Sequence, residues 1–110
     1  MSTQEFLQIL SALMLADNTQ RKQAEQCYND LLDKNLKPTL EALVGFLSST
    51  DFQVIHRSLA GVLLRRAIEK YSKLLDAAFV GAMRQSLITI WIAETDGHLL
   101  KRISHILAQW

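Results

Sequence analysis

The sequence predicts an all-α fold, and three observations carry that reading. Breakers are scarce, with one Pro and four Gly in 110 residues, too few for the many turns of a β fold. Apolar residues make up 49% of the chain and recur at helical rather than alternating spacing. Segments with similar openings return roughly every 40 residues, as a stack of helical hairpins requires. The longest pattern, 51–70 (DFQVIHRSLAGVLLRRAIEK), sets Ile55, Leu59, Ala60, Val62, Leu63, Ala67 and Ile68 over more than half of a helix circumference. A stripe that wide needs neighbours on two sides.

Six helices are expected. Phe6, Ile9, Leu10, Leu13 and Met14 give the first, over 3–15, one buried face. Asp17, with Gln20 three positions on, reads as an N-cap and capping-box partner. The second helix then buries Ala24, Cys27, Tyr28, Leu31 and Leu32. The stretch 34–37 closes it, and Pro38 suits the first turn of the third because its missing N–H would be unpaired there. Leu40, Leu43, Val44 and Leu47 form the third stripe. Thr50 or Asp51 caps the fourth helix, which runs to about Lys70.

After Asp76 a fifth helix follows, with Phe79, Val80, Met83, Leu87, Ile90 and Trp91 inward and Ile88 and Ile92 widening the face. Leu87 to Ile92 has β propensity, but no strand partner is visible, and the helical spacing prevails. Thr95-Asp96-Gly97 breaks the pattern before a sixth helix bearing Leu99, Leu100, Ile103, Ile106, Leu107 and Trp110.

The even-numbered helices share an acidic opening followed by a basic residue: Asp17 to Arg21, Asp51 to Arg57, Asp96 to Arg102. Arg21 and Arg57 are 36 positions apart, and Arg57 and Arg102 are 45. That spacing fits the two-helix unit of HEAT and armadillo arrays better than the ankyrin or TPR period. The expected architecture is a HEAT/armadillo-like right-handed α-solenoid of three antiparallel hairpins, approximately 1–35, 36–71 and 72–110, in one segment. Trp110 arrives with the last helix still in phase and no polar closing segment. The expectation is a longer array, or self-association through that end.

Net charge is +1, so the broad positive field that draws proteins onto nucleic acid is missing. No apolar run reaches the roughly 18–20 residues that cross a bilayer. The first residues carry no basic-then-apolar signal pattern, which leads to the expectation of a cytosolic or nuclear protein. Cys27 is the only cysteine, which excludes an internal disulfide, and its place on the apolar side of its helix reads as a buried small hydrophobe. His56, His98 and His105 have no Cys or carboxylate at zinc spacing and read as structural or surface residues. There is no nucleophile elbow and no Gly-rich phosphate loop. Neither enzyme activity, metal nor cofactor is expected.

The basic residues are more informative. Arg65 and Arg66, near a helix C-terminus, either complement the helix dipole or anchor a partner's carboxylate bidentately. Arg21 and Lys22 stand in a first turn, where the dipole disfavours cations, which points to an acidic partner or an inter-repeat contact. Arg57 and Arg102, at matching repeat positions, are expected to form a ladder bridging neighbouring helices to acidic residues.

Two runs, D-N-x-x-R-K-Q-A-E at 17–25 and L-A-x-V-L-L-R-R at 59–66, resemble the N-terminal region of the karyopherin-beta (importin-beta) nuclear transport receptors, closest to the importin five branch. L-L-K-R at 99–102, after an acidic turn, adds a third similarity. Gly61 departs from the pattern, which has Ala there. The resemblance implies HEAT repeats whose second helices line the concave face, a non-enzymatic protein-binding role, and shuttling between cytoplasm and nucleus. It implies recognition of the GTP form of a Ran-type small GTPase, with cargo proteins and nucleoporins bound only by a longer chain. Carried onto matching positions, the candidate partner-binding residues are Arg21, Lys22, Glu25, Asn29, Arg65 and Arg66. The alternative is a HEAT-repeat scaffold or adaptor that self-associates through its uncapped end.

Overall fold

The computed structural model describes residues 3–109. Among them every regular element is helical: α1 (Thr3–Leu13), α2 (Asn18–Lys34), α3 (Leu36–Ser48), α4 (Val54–Tyr71), α5 (Ala77–Ala93) and α6 (Gly97–Leu107), with a short 3₁₀ turn at Ser72–Leu74. The all-α class predicted from breaker scarcity and helical spacing is what forms. Trp110, assigned above to the end of the last stripe, lies outside the described residues.

The chain divides into two compact units, Met1–Ala42 and Leu43–Trp110, with the boundary inside α3. In the first unit α1 packs on α2. Phe6 and Leu10 are the buried residues of α1, and those of α2, Ala24, Tyr28 and Leu32, follow a strict four-residue spacing. Asp17 starts α2 as expected, its carboxylate accepting from the Gln20 amide at 2.9 Å. A single residue, Asn35, separates α2 from α3, and its amide closes α2 on the Leu31 carbonyl at 2.8 Å. The Thr39 hydroxyl donates to that same carbonyl at 3.2 Å, which explains why a threonine is buried here. Pro38, third residue of α3, falls in the first turn, where it removes no intrahelical bond.

In the second unit α6 packs against both α4 and α5. Leu99, Ile103 and Ile106 of α6 are fully buried, worth about 1.5–3 kcal/mol each relative to exposure. Helix α4 buries Arg57, Ser58, Ala60, Gly61, Leu63, Leu64, Ala67 and Ile68, so its inward arc does exceed half of the circumference. Phe46 near the end of α3 is also buried and stacks on Phe52, ring centroids 4.3 Å apart.

Several inward assignments are corrected. Cys27 is exposed, because Tyr28, its neighbour, takes the central core position at the four-residue spacing. Ile55 is 60% and Ile92 73% exposed, so each stripe is narrower at that edge than its apolar residues suggest. Trp91, also expected inward, is exposed and donates through Nε1 to Ser104 Oγ at 3.0 Å. Helix α1 ends at Leu13, leaving Met14 and Leu15 in the turn. Helix α4 begins only at Val54, with Gln53 as N-cap and no side-chain cap bond. Neither Thr50 nor Asp51 caps it, because the residues between them and Val54 form a turn and a bend rather than helix.

Candidate functional site

On α2 of the first unit, Arg21, Lys22, Glu25 and Asn29 all reach solvent. The local geometry is self-contained. Arg21 Nη2 donates to Asn18 Oδ1 at 2.6 Å, and its Nε stands 3.9 Å from Glu25 one turn on. The carboxylate and amide oxygens near Arg21 offset a cation in the first turn, where the helix dipole opposes it. Exposed pairs of this kind contribute little to stability, on the order of 0–1 kcal/mol. Lys22 and Asn29 are the more available of the four.

Arg65 and Arg66 stand exposed near the C-terminal end of α4 in the second unit. They face different surroundings. Arg65 Nε lies 3.8 Å from Glu69 on the same helix, whereas no hydrogen bond or ion pair engages Arg66 among the described residues. Both line a cleft of about 250 Å³ between α4 and α6, completed by Gly61, Val62, Glu69, Arg102 and His105. Glu69 also accepts from Gln109 Nε2 at 3.1 Å. Its carboxylate is therefore shared between Arg65 and Gln109.

Gly61 lies where α4 faces α6. A Cβ built there would sit 3.4 Å from Leu47 Cδ2 and 3.5 Å from Arg102 Cβ, ordinary contact with no room for more. Behind it, Arg102 Nε donates to Ser58 Oγ at 3.3 Å, and the same hydroxyl lies 3.1 Å from His98 Nε2. Arg102 thus meets a serine, not the carboxylate expected of a ladder rung. Its position beside Gly61 brings it to Ser58, a buried hydroxyl on the adjoining turn of α4.

Arg57 does meet a carboxylate. It pairs with Glu94, and both side chains are nearly buried, at 6% and 7% exposed. Its Nε and Nη2 also donate to the Leu47 carbonyl at 3.1 and 2.6 Å, tying the end of α3 to α4 and to the turn before α6. Glu94 in turn accepts from the Thr95 and Asp96 amides at 3.1 and 3.0 Å. Burial pushes its carboxyl upward, but the Asp96 amide, the bond and charge of Arg57, and the Thr95 amide together hold it below its ordinary value. A charge so fully satisfied is a structural joint.

Compared with known proteins, the sequence matches no family model, and no curated protein matches it significantly. The site must be read from its own chemistry. Among the described residues no three His, Cys, Asp or Glu side chains converge as a metal would need. What the second unit offers is a small, open, basic cleft whose two ends belong to different helices.

Sequence reasoning found Arg65 and Arg66 but not the partnership of Arg102 and His105 with them. The signal was partial. Arg102 and His105 are three apart on the polar flank of the α6 stripe, but nothing in their own segment says that this flank borders the end of α4.

Proposed function

We propose that the chain is a protein-binding module of an importin-beta-type nuclear transport receptor. Its hairpins are read as HEAT-type repeats of a right-handed solenoid, and its even-numbered helices contribute to recognising a Ran-type small GTPase in the GTP form. Such a module would shuttle between cytoplasm and nucleus, and would bind cargo and nucleoporins only within a longer chain.

The observation that carries the reading is how L-A-x-V-L-L-R-R is used in α4. Ala60, Leu63 and Leu64 are buried while Arg65 and Arg66 are exposed, so one motif supplies both the packing and an exposed basic edge. The D-N-x-x-R-K-Q-A-E run divides in the same way: Asp17 caps α2, Ala24 is buried, and Arg21, Lys22 and Glu25 reach solvent. The net charge of +1 favours a partner recognised by local charge over one drawn in by a long-range field.

Titration of the chain, and of any longer chain that carries it, with Ran loaded with GTP and with GDP tests the reading. Binding selective for the GTP form is expected. Equal affinity for both forms, or no binding to either, would overturn it.

A further inference from the structure

The geometry points to the α4–α6 cleft as a receptor for an acidic peptide segment, with Arg66 and Arg102 receiving carboxylates of neighbouring side chains. The inference stands on the cleft alone and does not require a GTPase. Three guanidinium groups line it against one carboxylate, and that carboxylate, Glu69, is already engaged by Arg65 at 3.8 Å and Gln109 at 3.1 Å. Arg66 and His105 have no hydrogen-bonded or charged partner among the described residues. Arg102 is held through Nε by Ser58, which leaves both terminal nitrogens for a ligand.

That arrangement suits a carboxylate in two respects. A guanidinium presents paired donors that match a carboxylate's two oxygens, and anchoring through Nε lowers the ordering cost of binding. Size and chemistry narrow the ligand further. The volume of about 250 Å³ admits the ends of one or two side chains rather than a nucleotide. Arg65, Arg66 and Arg102 come from two helices, so a peptide with adjacent acidic residues can touch both sides at once.

Fluorescence anisotropy with a labelled peptide carrying an Asp/Glu run, beside the same peptide with Asn and Gln, tests the proposal without any GTPase present. Its failure would therefore be separate from failure of the transport reading. The acidic peptide is expected to bind, more weakly as salt rises, and the neutral one not to. Arg66→Gln and Arg102→Gln should each weaken binding by about tenfold, as expected for losing one charge-assisted contact. Arg84→Gln, at an exposed position on α5 outside the cleft, should change nothing. Circular dichroism on every variant checks that the fold is retained, and Arg66, being exposed, keeps the test valid if Arg102→Gln disturbs packing. Equal binding of the neutral peptide, an unchanged affinity in Arg66→Gln, or displacement of the acidic peptide by inorganic phosphate at its own concentration would overturn the proposal.

Discussion

Arg57 shows how one residue can join three segments, and how far its role was legible. Its repeat position suggested a bridge to an acidic residue, and Glu94 is that residue. The bond to the Leu47 carbonyl was not legible, because backbone acceptors carry no sequence signature. Arg57→Ala is expected to cost about 3–5 kcal/mol, since it strands a buried carboxylate, while adding Glu94→Gln should recover part of the loss. Urea unfolding of the two single variants and the double variant measures both. The lowered carboxyl of Glu94 sets a pH dependence of definite sign. Its contribution is complete above the unfolded value near 4.5 and fades as pH falls through the lower folded value, so the stability gap to Glu94→Gln should narrow under acid. Gly61 is simpler. Its Cβ position is in ordinary contact, so Gly61→Ala should fit and stabilise α4 by about 0.5–1 kcal/mol in thermal melts. Cys27 was misread for a geometric reason: a helical stripe permits steps of three or four, and Tyr28 rather than Cys27 continues the step of four from Ala24.

At the scale of elements, caps were the most legible feature where an Asp stood immediately before the first helical residue. Asp17 and Asp96, read as acidic openings, accept from Gln20 and Leu99 at 2.9 and 3.0 Å, and Asp76, which was not read as a cap, does the same from Phe79 at 2.7 Å. The same logic failed at α4. Asp51 lies too far before Val54, and the chain between them turns while Phe52 stacks on Phe46, a tertiary contact that overrides the local signal. Asp96→Ala should lower stability by about 1 kcal/mol through loss of the α6 cap, readable as a shift in the urea midpoint at unchanged slope. The exposed edges of α4 and α5 are a second lesson. Apolar periodicity locates the centre of a stripe well, and Leu63, Leu87 and Ile103 are buried as expected, but Ile55 and Ile92 at the margins are not.

For the whole molecule, a net charge of +1 conceals a local excess of basic residues in the α4–α6 cleft, which is why overall composition argued only against nucleic acid. The cleft could not be read from either helix alone. It depends on α6 packing on α4, a contact that becomes visible only in three dimensions. The two arginines common to the motif reading and to the cleft, Arg65 and Arg66, therefore carry the central claim that the basic end of α4 is a partner-binding edge. The most direct measurement is the affinity of Arg65→Glu/Arg66→Glu for GTP-loaded Ran, taken beside the unaltered chain, with helicity followed by circular dichroism. Charge reversal at these exposed sites should leave helicity intact and weaken binding by at least about tenfold, the loss of a charge-assisted contact. Unchanged affinity, or collapse of the fold in place of weakened binding, would contradict the account and assign both arginines to structure.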